Sequence, residues 1–407
     1  MSVLGCRFLT TDNGQRTTCY DHPPVHTDLL GIGLTGKSLT DLERRIITET
    51  SPYAVVLFGR NIHDAEQLSG LVREVKSLAE RPPIFMIDEE GGRVDRLRHL
   101  VPGLPSVEAF GEGEQPLELS AWLGRLIGMA LRYFDIEVDL APVVDIRGEN
   151  APKGLERRTF GRDPETVIEL GGAFMRGLHA AGVASCLKHF PGIGVGSADP
   201  HYGATVIDVS LEELKRRDLV PFARLGNEAG AIMIGHGTYP QIDDPDLPAT
   251  LSHRISTDLL RGVAGFEALA VTDDMEMHAV ADFGAYETIT ERSLMAGNDV
   301  VLFCSHIERV PDIQRFVRQK SKSGGPFAAR LAEAAARAET YRAHCERLRS
   351  VAPPPVSRFD DVIAETVRFV EVFEKARPER ERVVPDIDRR TNSRVPGTGR
   401  TGREEWT

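Results

Sequence analysis

The sequence predicts an α/β fold: eight parallel strands closed into a (β/α)8 barrel of the TIM type, forming one domain with a C-terminal extension. Three observations predict it. Eight short apolar runs alternate with amphipathic segments of helical period along a 407-residue chain. The runs are continuously apolar, as strands buried on both faces of a parallel sheet are. Polar residues recur directly after them, at Asp88, Asp145, Lys188-His189, His236 and Asp273. In a closed parallel barrel those strand ends share one rim, where barrel enzymes carry their chemistry.

Residues 1–28 are polar and turn-rich and read as an N-terminal arm. The domain expected to form the barrel spans 29–350. Its first two strands fall at 29–34 and 54–58, with helices at 41–50 and 64–79, the latter capped by Asp64. The third strand, 84–87, ends in Asp88-Glu89-Glu90-Gly91-Gly92. A helix at 117–134 leads to the fourth strand, 137–144, whose end carries Asp145. After a loop with Arg157-Arg158-Thr159-Phe160-Gly161 come a helix at 164–181 and the fifth strand, 183–187. A glycine-rich loop, 188–203, follows and reads as a flap hinged on its glycines. Ser210 with Glu213 fits a capping box for a helix over 210–228. Strands at 231–234, 268–272 and 300–304 alternate with helices at 252–262, around 286–296 and at 326–349. Beyond Pro353-Pro354-Pro355, residues 351–376 hold one further amphipathic helix. Residues 377–407 combine Arg, Pro, Gly, Thr and acid with few apolar residues and read as a disordered tail. No G-x-G-x-x-G follows the first strand, which argues against a dinucleotide fold.

Composition narrows the function classes. The net charge is −12 and no Lys/Arg-rich block occurs, which argues against a nucleic-acid partner or an anionic membrane. No apolar run approaches the roughly 18 residues of a spanning helix, so membrane insertion is not expected. The five cysteines are scattered, with no C-x-x-C pair, and the N-terminus lacks a signal-peptide pattern. These point to a cytoplasmic protein with reduced thiols.

The candidate chemistry lies at the rim. Asp273 closes a strand, where a carboxylate serves as nucleophile, base or ligand; Asp274 is the better placed of the two to cap the next helix. Asp199 and His201 stand two residues apart on the glycine-rich loop. A carboxylate beside an imidazole makes a tuned proton shuttle, a metal pair or a solvated surface pair. No compact His/Cys/carboxylate set of metal-ligand spacing accompanies them, so no metal is expected. Asp88 and Arg96 combine an acceptor with a forked donor, which suits a polyhydroxylated ligand or an internal salt bridge. Arg158, Lys188 and His189 add donors, and with no phosphate loop the set looks like a sugar pocket. Phe58, Phe160 and Phe190 either line it or pack.

Six stretches then carry a resemblance. Ile87-Asp88-Glu89-Glu90-Gly91-Gly92-Arg93-Val94-Asp95-Arg96, Ala141-Pro142-Val143-Val144-Asp145, Arg158-Thr159-Phe160-Gly161, Lys188-His189-Phe190-Pro191-Gly192, Asp199-x-His201 and Thr272-Asp273-Asp274-Met275 occur in this order. The chain resembles glycoside hydrolase family 3 over about residues 30–349, and within it the bacterial β-N-acetylhexosaminidases of peptidoglycan recycling. The resemblance implies retaining exo-hydrolysis of terminal β-linked N-acetylglucosamine on muropeptide or chitin-type saccharides. It implies Asp273 as nucleophile, His201 as acid/base, and Asp199 as the residue orienting His201. Asp88, Arg96, Arg158, Lys188 and His189 map onto sugar-binding positions, and no cofactor is implied. Most retaining glycosidases use a second carboxylate as acid/base; an imidazole with an ordinary pKa of about 6.5 is a workable substitute. The chain departs from the pattern at Ile193, where relatives commonly carry histidine, and at Pro200, where they commonly carry serine. A phosphorylase, another β-glycosidase of the family, or a sugar-binding sensor with little turnover are the alternatives.

Overall fold

The computed structural model describes residues 29–112, 114–198 and 205–377. Eleven strands occur among them: β1 (Leu30–Gly33), β2 (Ala54–Leu57), β3 (Ile84–Ile87), β4 (Val138–Asp139), β5 (Ala184–Ser185), β6 (Leu187–Phe190), β7 (Ser197–Ala198), β8 (Thr205–Val206), β9 (Ala231–Ile234), β10 (Leu269–Asp274) and β11 (Val300–Phe303). Nine of them form one parallel sheet in the order β5-β4-β3-β2-β1-β11-β10-β9-β6. β5 and β6 are one strand interrupted at Cys186, whose N–H reaches the carbonyls of Asp139 and Ala141, both at 3.1 Å. Joining them closes the sheet into eight staves, the (β/α)8 barrel expected. Each apolar run forms its stave because it has no polar face to expose: Ile32, Val55, Phe85, Leu187, Ile232, Ala270 and Val301 are all fully buried.

The helices are α1 (Asp41–Thr50), α2 (Ala65–Leu78), α3 (Pro116–Tyr133), α4 (Pro164–Ala180), α5 (Leu211–Arg216), α6 (Leu219–Ala229), α7 (His278–Ala281), α8 (Tyr286–Ala296), α9 (Val310–Lys322), α10 (Gly325–Val351) and α11 (Phe359–Ala376). Local signals set several starts. Thr40 and Glu43 exchange the two bonds of a capping box, while Asp64 and Asp163 each accept from the third residue of their helix. α10 lies across the N-terminal ends of the staves: Tyr53 Oη donates to Ala338 O at 2.8 Å, and Arg330 Nη2 to the carbonyls of Gly297 and Asn298. α11 packs on α3 through Trp122 against Phe369, with ring centroids 5.3 Å apart.

Four elements differ from expectation. The fourth strand shrinks to Val138–Asp139 plus a bridge from Val143 to Lys188, because cis-Pro142 has no N–H for the ladder. The helix over 210–228 breaks at Arg217, which leaves helical geometry and turns its guanidinium onto Ile146 O at 2.9 Å. Ser210 does cap α5. The segment Arg254–Val263 is wound as a π-helix. Asp274 caps no helix; its Oδ1 accepts from the N–H of Glu276 and of Cys304, tying the end of β10 to β11. Cys186, Cys304 and Cys345 are buried free thiols. Phe160 and Phe190 are core residues, while Phe58 is partly buried with the Arg60 guanidinium 4.2 Å from its ring.

Candidate active site

Two staves bulge at the rim. Between β6 and β9, Leu187 pairs with Ile232 and Phe190 with Ile234, so Lys188 and His189 face one residue of the neighbour. Between β10 and β11, Val271 pairs with Val300 and Asp274 with Leu302, so Thr272 and Asp273 likewise face one. An extra residue re-aims side chains out of the ladder, and here it does so where Lys188, His189 and Asp273 sit.

Lys188 is 1% exposed, and its Nζ lies 2.6 Å from Asp88 Oδ1 and 2.6 Å from Glu90 Oε1. Arg158 grips Glu90 with both ends of its fork, at 2.7 and 2.8 Å. Arg96 Nη2 stands 3.7 Å from Asp88 Oδ2. Asp88, Arg96, Arg158 and Lys188 therefore form one cluster, in which Glu90 joins Arg158 to Lys188. Sequence reasoning had not singled out Glu90. The available signal was its i, i+2 relation to Asp88, which puts both on one face of extended chain. Burial works to raise the Glu90 carboxyl, but Lys188 and Arg158 outweigh it and hold it far below its ordinary range.

The Arg96 loop hangs on Glu89, whose Oε2 accepts the N–H groups of Arg96 at 2.7 Å and Leu97 at 2.9 Å. Glu89, Asp95 and Asp139 are buried beside it. Burial first, then the charges of Asp95 and Asp139, raise the Glu89 carboxyl well above normal. A raised acid binds its proton more tightly folded than unfolded, so its contribution to stability falls as pH climbs above about 4.3. Gln at position 89 keeps the acceptor and cannot ionise. Glu89→Gln should therefore match wild type in thermal melts near pH 4 and gain on it at pH 8; a difference constant with pH would count against this.

His189 donates from its backbone N–H (3.2 Å) and from Nδ1 (2.7 Å) to Asp145 Oδ2, while Ile193 N–H reaches Asp145 Oδ1 at 2.8 Å. His236 places Nε2 2.9 Å from the carbonyl of Asp274 and Nδ1 2.9 Å from Thr250 Oγ1. Burial lowers its pKa against the pull of Asp273. A neutral ring fits, with Nε2–H donating and Thr250 supplying a hydroxyl proton to Nδ1. Burial alone would raise the Asp273 carboxyl; the imidazoles of His236 and His189, the Asp274 N–H and Lys188 outweigh it, so it lies below its ordinary range. The Asp274 N–H donates to Asp273 Oδ1 at 2.8 Å. The result is an ionised carboxylate at the mouth of a barrel, beside a carboxylate–cation cluster.

At the start of the following loop two glycines allow close packing. Gly192 has φ +116°, and a Cβ there would sit 2.7 Å from Asp218 Cβ; a Cβ on Gly194 would sit 1.9 Å from Ile146 O. Beyond them β7 pairs antiparallel with β8. Asp199 and His201 lie outside the described residues, as do residues 1–28 and 378–407. Among the described residues no group of three or more His, Cys, Asp or Glu is arranged to hold a metal, and no helix is long and apolar enough to cross a membrane.

This barrel matches known proteins. Residues 29–340 match the model of the glycosyl hydrolase family 3 N terminal domain. The chain belongs to that family and is a glycoside hydrolase. It is 37% identical over 281 residues to a beta-hexosaminidase of Tolumonas auensis, covering 68% of this chain and 83% of that protein. A beta-hexosaminidase of Stenotrophomonas maltophilia is 36% identical over 300 residues, covering 72% of this chain and 88% of the relative. Among solved structures, a family 3 beta-N-acetylglucosaminidase from Paenibacillus superposes with a TM-score of 0.75 at 28% identity, over 86% of this chain and 68% of that one. NagZ from Neisseria gonorrhoeae in complex with N-trifluoroacetyl-D-glucosamine gives a TM-score of 0.67 at 27% identity, over 84% and 97%.

Proposed function

We propose that this chain is a retaining exo-β-N-acetylglucosaminidase that removes terminal N-acetylglucosamine from muropeptide or chitin-type saccharides. The observation that carries the reading is Asp273, held ionised on a strand bulge beside the Asp88–Lys188–Glu90–Arg158 cluster. Relatives named beta-hexosaminidase and the N-acetylglucosamine derivative bound to the Neisseria structure support the sugar.

In this reading Asp88, Arg96, Arg158, Lys188 and His189 bind the sugar ring. The Asp88 carboxylate accepts from its hydroxyls, and the cations and imidazole fix its orientation. The Asp273 carboxylate attacks the anomeric carbon and forms a glycosyl ester while the glycosidic C–O bond breaks. His201, oriented by Asp199, gives its proton to the departing oxygen. It then takes one from the incoming water, whose oxygen displaces Asp273 and restores the carboxylate. A screen of aryl β-glycosides, with and without inorganic phosphate, tests the proposal. Release of N-acetylglucosamine, unaffected by phosphate, is expected. A sugar 1-phosphate product would make phosphate the acceptor, and preference for β-glucosides would overturn the sugar assignment.

A further inference from the structure

Asp145 has no part in the roles above, yet it is fully buried and uses both oxygens on site segments. Oδ2 takes the backbone and ring N–H of His189; Oδ1 takes the N–H of Ile193, at the foot of the chain that runs on through β7. The foot is fastened around it. Gly148 N–H donates to Gly194 O at 2.8 Å, Tyr239 Oη donates to Gly192 O at 3.0 Å, and Gly194 packs on Ile146 O. On the return side, Ile207 N–H donates to Thr238 O, and Thr238 N–H to Thr205 O, both at 2.9 Å.

We infer that Asp145 is a positioning residue for the hydrolytic reaction: one carboxylate sets the tautomer of His189 and at the same time fixes the foot of the loop that leads to Asp199 and His201. The inference rests on the proposed glycosidase reading. A carboxylate suits the task because all three partners are donors and it offers only acceptors. Accepting from Nδ1 keeps that proton on the ring and, in the neutral imidazole, leaves a lone pair on Nε2 to receive a sugar hydroxyl. An asparagine has a single acceptor oxygen. If that oxygen serves Ile193, its NH2 faces His189, the ring must carry its proton on Nε2, and the polarity presented to the sugar is inverted. If it serves His189, the loop foot loses its acceptor.

The experiment compares Asp145→Asn with wild type on two aryl β-N-acetylglucosaminides. 4-Nitrophenol leaves with the help of a proton; 2,4-dinitrophenol needs little. The expected loss in kcat/KM is about 100-fold on the first and about 10-fold or less on the second. The loss common to both reports weakened sugar binding and should appear as a similar weakening of inhibition by N-acetylglucosamine. A merely structural role would lower both activities equally through a smaller folded fraction, so equal losses overturn the loop half of the inference. The histidine half is read on unmutated protein: nitrogen-15 histidine spectra should show an Nδ1–H imidazole that disappears in His189→Gln. An Nε2–H tautomer at that residue overturns it, even if the asparagine variant does not fold. Wild-type protein inactive on both substrates would instead defeat the proposed function, and the spectra would still judge the Asp145–His189 pair.

Discussion

Asp273→Ala is expected to lower kcat on an aryl β-N-acetylglucosaminide by about 10⁴-fold or more, with the melting temperature nearly unchanged. The size follows from the step removed: without the carboxylate no glycosyl ester forms, and water must attack unaided. Stability should hold because, among the described residues, the Asp273 side chain accepts only the N–H of its own neighbour at 2.8 Å and is not completely enclosed. A slow 2-fluoro or 5-fluoro sugar should leave its adduct on the peptide that contains Asp273. Retention of most activity in the alanine variant, or an adduct elsewhere, would reject Asp273 as the nucleophile.

Asp273 was legible in the sequence, and the reason is architectural. A stave buried on both faces is mostly apolar, so an acid that ends the run is conspicuous, and the eight apolar runs all became staves. What escaped was the pairing of segments far apart in the chain. The two one-residue bulges that turn Lys188, His189 and Asp273 out of the ladder are set by register with β9 and β11, and a single strand's composition does not report register. Glu89 and Glu90 are chemically alike neighbours, and only the fold decides that one meets carboxylates and the other meets cations. The break at Arg217 has the same origin: its helical pattern is sound locally, but the carbonyl of Ile146 competes for the side chain. Asp64 and Ser210 were readable as caps because their bonds close within a few residues, and the unforeseen cap Thr40 obeys the same rule.

Glu90→Ala is expected to have the largest effect on stability, lowering it by roughly 3–5 kcal/mol, or about 4–7 °C in melting temperature for a chain of this size. Glu90 is 3% exposed and answers both Lys188 and Arg158. Removing it leaves Asp88 as the carboxylate facing Lys188 at 2.6 Å and Arg96 at 3.7 Å, while Arg158 loses both of its bonds to Glu90. A buried cation stripped of its partner keeps its desolvation cost, so Lys188 and Arg158 must shift toward Asp88 or admit water. Either response displaces groups proposed to hold the sugar, and kcat/KM should fall about 100-fold. Glu90→Gln should lie between, because its amide oxygen still accepts from Arg158 while its NH2 opposes Lys188. The pH dependence has a definite sign. The folded carboxyl lies below its unfolded value of about 4.3, so its stabilisation is present above that pH and fades as pH falls through the acid range. Melts of wild type and Glu90→Ala should therefore differ most near pH 7, and the gap should begin to narrow only below about pH 4. Equal melting temperatures at pH 7 would show that Asp88 alone can neutralise the cluster, and Glu90 would lose its role as the partner that holds Lys188 and Arg158.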